Sequence, residues 1–186
     1  AKGTPEKDVV VDKNTSKASV FGLNNVVLGK EVLALGNNNN VNGENSTAIG
    51  TQSTADGINT LAIGTGAKAH VTNPAAANSN KPGNLIAIGT SAEATAAETV
   101  AIGQAAKASG QNSNAYGSQA NASGTSSLAV GTGSVASGDS AVAIGNDSTV
   151  TGGSAVAIGA SATSTGKWST ALGDSANAKG EKSVAL

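Results

Sequence analysis

A glycine preceded by alanine and a large side chain returns at Gly36, Gly50 and Gly64, then at Gly89, Gly103, Gly117, Gly131, Gly145, Gly159 and Gly173. Every interval is 14 residues except Gly64 to Gly89, which is 14 plus an insertion of 11. Such a fixed period marks a stacked repeat, in which each unit buries its apolar surface only against its neighbours. A second glycine often follows seven residues later, as at Gly110, Gly124 and Gly138. Two short segments per unit follow from that spacing. Segments such as Ala141-Val142-Ala143-Ile144-Gly145 and Ser134-Val135-Ala136-Ser137-Gly138 alternate with period two, which is the strand signature. Helices are opposed by glycine every seven residues and by the abundance of Ser, Thr and Asn. The unit reads as two strands and two tight turns, one coil of a solenoid.

Successive side chains of a strand point to opposite faces, so each coil has an inside and an outside. The middle of the second strand is alanine in every unit, from Ala34 through Ala101 and Ala143 to Ala185. The first strand supplies Ala92 and Ala94, Ala106 and Ala108, Ala120 and Ala122 to the same side. Facing side chains this small close around a narrow, dry interior. Outside, the first strand is polar: Lys107 and Ser109, Asn121 and Ser123, Thr149 and Thr151, Thr163 and Thr165. The second strand is the reverse. It presents Leu61 and Ile63, Ile86 and Ile88, Val100 and Ile102, then Leu128 and Val130, Val142 and Ile144, Val156 and Ile158. Asn114 and Tyr116 stand in the same two columns, and Thr47 and Thr170 are further polar interruptions. Covering one such aliphatic side chain contributes about 1.5–3 kcal/mol. A continuous apolar stripe is not left in water by a soluble monomer, so another copy of the chain is expected to cover it.

Asn45-Ser46-Thr47-Ala48-Ile49-Gly50, Ser140-Ala141-Val142-Ala143-Ile144-Gly145 and Ser183-Val184-Ala185-Leu186 resemble the head repeat of YadA-like trimeric autotransporter adhesins. The resemblance spans roughly residues 19–186. It implies an all-β fold, a left-handed parallel β-roll (β-solenoid) with a 14-residue coil, assembled as a homotrimer around a threefold axis. It also implies display on a Gram-negative cell surface, anchored in the outer membrane through C-terminal regions that lie outside this chain. The sequence then reads as a piece of a longer surface protein. Residues 1–21 are expected to form an irregular N-terminal cap, and residues 22–186 the head repeats.

Composition narrows the function. Charged residues make up 12% of the chain, the net charge is −1, and cysteine is absent. No electrostatic footprint for nucleic acid exists, and disulfides, thiol catalysis and zinc–thiolate sites are excluded. The twelve acidic residues are scattered rather than clustered, and the single histidine, His70, has no partner set for metal or acid–base chemistry. An enzyme is not expected, and no cofactor. Gly64-Thr65-Gly66-Ala67-Lys68-Ala69 satisfies a dinucleotide-binding spacing, but its glycines belong to the repeat and no helix follows.

The insertion, at about 71–83, holds Pro74 and Pro82 among small and polar residues, and reads as an exposed loop. Loops on rigid scaffolds commonly carry recognition; a tolerated insertion without a role stands beside that reading. Candidate ligand contacts are His70, Thr72, Asn73, Asn78, Asn80 and Lys81 at the loop, and Trp168 at a turn. The expected function is that of an adhesin head, attaching to extracellular matrix, host cells or other bacteria. The alternative is an ice- or surface-binding solenoid, for which Thr149, Thr151, Thr163 and Thr165 give two threonine rungs.

Overall fold

The computed structural model describes residues 9–11, 17–72 and 83–186. The described residues form strands and turns with no helix. Twenty-four strands run from β1 (Val9–Val11) to β24 (Val184–Ala185). Odd-numbered strands make one twelve-stranded sheet and even-numbered strands the other, each in simple chain order. Every pairing is parallel: β12 (Val100–Ile102) sits between β10 (Ile86–Ile88) and β14 (Asn114–Tyr116), with Ala101 beside Ala87 and Ala115. The chain is therefore an all-β parallel solenoid of about 11 turns. Residues separated by one repeat become neighbours in the ladder, which is why the sequence can repeat so closely.

The turns recur every seven residues and share one device. Asn112, Gln119 and Ser126 have φ of 58°, 60° and 55°, the left-handed conformation that Asn adopts most readily. Their amides continue the ladder around the corner, donating to the carbonyls of Ala97, Gln104 and Gln111 at 3.1, 2.8 and 2.8 Å. The leading glycine is required for a different reason. At Gly117, φ is +133°, and a Cβ would lie 2.5 Å from the Gly131 carbonyl oxygen. Coils can stack at this corner only without a side chain.

Between the sheets lies a core made largely of alanine, with Ala34, Ala62, Ala101, Ala115, Ala129 and Ala143 fully buried. The expectation of uniformly tiny residues needs correction. Val27, Val41, Val150 and Leu85 are fully enclosed as well. Asn25 and Asn39 also point inward at 0% and 1% exposure. Asn39 donates through Nδ2 to Gly50 O at 3.0 Å and Leu35 O at 3.2 Å, and its Oδ1 accepts from the Ser53 amide at 3.0 Å. These bonds satisfy an amide that would otherwise be costly to bury. A polar ladder of this kind, from Asn25 to Asn39 to Ser53, runs through the first coils.

Strands also occur inside the segment expected to be an irregular cap. β1 pairs with β3 (Asn25–Val27), and β2 (Ser19–Phe21) pairs with β4 (Leu33–Asn37). Both sheets begin within residues 1–21. The insertion is absorbed without disturbing the stack. β8 (Leu61–Ile63) pairs with β10, and β9 (Lys68–His70) with β11 (Glu93–Ala94), each across 25 residues.

Candidate functional site

The even sheet brings its outward residues into two columns. Leu61, Ile86, Val100, Asn114, Leu128, Val142 and Val156 are consecutive ladder partners in the first. Ile63, Ile88, Ile102, Tyr116, Val130, Ile144 and Ile158 are consecutive in the second. All fourteen residues anticipated at a subunit interface therefore share one face. Most are half-buried, because each is flanked by like side chains one strand above and below. Leu35, Ile158 and Leu172 remain 44%, 41% and 38% exposed, and Tyr116 37%. These branched side chains lie outside the roll.

The odd sheet presents the opposite surface. Lys107, Ser109, Ser123, Thr151 and Thr165 are exposed. Across β9, β11 and β13 (Lys107–Ala108) runs a short charge ladder: Glu93 meets Lys68 Nζ at 3.3 Å and Lys107 Nζ at 3.4 Å. Partial burial pushes the Glu93 carboxyl up, but the hydrogen bond from Lys68 and the charges of Lys107 and Lys68 outweigh it. The group consequently titrates below the ordinary glutamate range. Sequence reading missed this ladder because Lys68 and Glu93 are 25 residues apart; opposite charges at equivalent repeat positions were the available signal. Thr149 and Thr163 are ladder partners, but Val135 and Asn177 bound them on either side, so the threonine array ends after two rungs.

The candidate ligand contacts do not converge. His70 is half-buried at the end of β9, beside Asp56 of β7 (Thr54–Asp56) in the ladder. Thr72 is exposed, and both its amide and its hydroxyl donate to Thr95 O, at 3.2 and 3.4 Å. Asn73, Asn78, Asn80 and Lys81 fall outside the described residues. Trp168 lies in the turn after β21 (Thr163–Ser164), six strands along the odd sheet from His70. It holds a left-handed turn position with φ 59°, is 46% exposed, and carries the Lys167 ammonium 4.1 Å and the Lys182 ammonium 5.3 Å from its ring centroid. Among the described residues, no group of three His, Asp or Glu side chains could hold a metal ion.

The family model described as YadA head domain repeat (2 copies) matches in overlapping steps over residues 33–73 and again over 86–186. The matches follow the coils one after another and pause only at the insertion. The chain belongs to the YadA head family. No curated protein matches it. The YadA head repeat is that of an adhesin rather than of an enzyme family, and it places the chain with bacterial cell-surface autotransporter adhesins.

Proposed function

We propose that this chain forms the adhesive head of a trimeric autotransporter. Three left-handed rolls with a 14-residue coil pack their even sheets around a threefold axis, leaving the polar odd sheets outward. The observation that supports this reading is the pair of apolar columns on a roll whose every coil from residue 33 matches the YadA head repeat, apart from the insertion. The family's general expectation is a trimer that binds host matrix. A contiguous apolar face of this kind marks an interaction surface, and closed symmetry lets one face serve three copies.

In this arrangement the interface is carried by Leu61, Ile63, Ile86, Ile88, Val100 and Ile102, continuing through the coils to Val156 and Ile158. The odd sheet and the insertion are left free to attach to extracellular matrix, host cells or other bacteria. Repetition along the roll and threefold copying make attachment multivalent, so weak single contacts add up. His70, Thr72 and Trp168 belong to that exterior, with Asn73, Asn78, Asn80 and Lys81 of the insertion.

A solid-phase assay tests the reading. The folded chain is applied to immobilised collagen, fibronectin, laminin and whole cells, with heat-denatured chain as the control. Saturable retention of the folded form on at least one surface is expected. Silence on all of them counts against adhesion.

A further inference from the structure

The apolar face has a weakness that follows from its own regularity. β18 (Val142–Ile144) and β20 (Val156–Ile158) carry the same three residues, and β12 carries them again. Sliding one copy along another by one strand, about 4.8 Å, sets valine against valine and isoleucine against isoleucine. Periodic strands specify register weakly for this reason. Hydrophobic burial alone therefore holds the copies together without fixing their relative height.

Four positions break the period. In the first outward column, polar residues replace aliphatics at Ser19 of β2, Thr47 of β6 (Thr47–Thr51), Asn114 of β14 and Thr170 of β22 (Thr170–Leu172). The last three are spaced by four strands of the even sheet, and Ser19 lies two strands from Thr47. A slip of one, two or three strands leaves Asn114 and Thr170 opposite aliphatics; a slip of four strands sets Asn114 opposite Thr47 or Thr170 but forfeits four strands of overlap. Asn114 is the most demanding of the four. The residue is half-buried on the apolar face, and among the described residues Nδ2 reaches only the Asn112 carbonyl, at the limiting distance of 3.5 Å. Its ladder neighbours on either side are Val100 and Leu128.

We infer that Asn114 is the register-setting residue of self-association. At equal height, three Asn114 carboxamides meet one another and satisfy the donors and acceptors that their own chains leave open. After a slip, each faces Val100 or Leu128 of a neighbouring copy and is desolvated without a partner. A polar layer in an apolar seam discriminates in this way at some cost in stability. The inference rests on the trimer reading, and it adds which residue selects the axial alignment.

The test mixes chains that carry different mass tags, refolds them together and counts species by native mass spectrometry. The native chain is mixed with N114V/L128N, in which the amide is moved by one strand. Mixed trimers are expected about tenfold below the statistical proportion, a discrimination of roughly 1.4 kcal/mol. Native chains mixed with N114V provide a second pairing should the double variant fail to fold, and mixed species are expected to be depleted there too. N114V by itself is expected to form trimers with a raised Tm, which separates a register role from a stabilising one. Statistical mixing in both experiments overturns the inference, as does N114V that no longer associates. A native chain that stays monomeric defeats the trimer reading instead.

Discussion

In the odd sheet the side chains facing out of the roll are Lys107, Asn121 and Thr149; half a turn away on the same coils they are Val100, Leu128 and Val142. The backbone plan of the two sheets is the same, with parallel strands in simple order. Their inward residues are also alike, Ala108 and Ala122 against Ala101 and Ala129, all fully buried. The difference teaches that the side chains that fold the roll and those left to meet another molecule are separate sets. Alanine, glycine and the turn residues build the roll; the outward aliphatics contribute little to its interior and remain available to another molecule.

Breaking that separation should give its largest effect on the even sheet's outer face. Replacing Ile102 and Ile144 together with Asp removes about 1.5–3 kcal/mol of burial at each site in every copy and places carboxylates where they lack partners. Sedimentation velocity should show a shift from trimer to folded monomer, with the circular dichroism of the roll retained. Retained trimers would mean that another face associates. A smaller but opposite pattern is expected from Ala143→Leu, which points inward. Overpacking of about 1–3 kcal/mol should lower the melting temperature of the roll, whereas the association face is untouched.

Much of this contrast is legible in the sequence. Period-two alternation within a 14-residue repeat assigns each residue to a face, and Ala101 and Ile102 stand on the faces that this rule gives them. The same rule puts Asn25 and Asn39 inside, each three residues after its leading glycine as Ala92 is, and both are buried. Alternation gives the side but not the partner: nothing local specifies that Asn39 donates to the Leu35 and Gly50 carbonyls.

The charge ladder on the odd sheet offers a weaker test. The Glu93 carboxyl is held below its ordinary range in the folded chain, so its stabilisation is present above the ordinary carboxylate range near 4.3. That contribution is lost as pH falls through the depressed folded value. Glu93→Gln should therefore lower stability at neutral pH by less than about 1 kcal/mol, with the difference vanishing in acid and shrinking in high salt. Thermal melts of both proteins across pH would show the convergence. The smallest effect belongs to Ser123→Lys, also on the outer odd face, where stability should stay within about 0.5 kcal/mol of native and association should be unchanged by light scattering.

The sequence by itself determined the solenoid, its repeat and the character of each outer face, because repeat period and alternation are local properties that recur along the chain in the same way. Tertiary structure decided what depends on where one coil stops and the next begins. It set the 25-residue jump that brings Lys68 to Glu93, and the hydrogen bond from Asn39 to the Gly50 carbonyl. It also placed Trp168 in a left-handed turn beside two ammonium groups. These depend on how side chains of neighbouring coils reach one another, which the repeat period, a property of backbone spacing, does not specify.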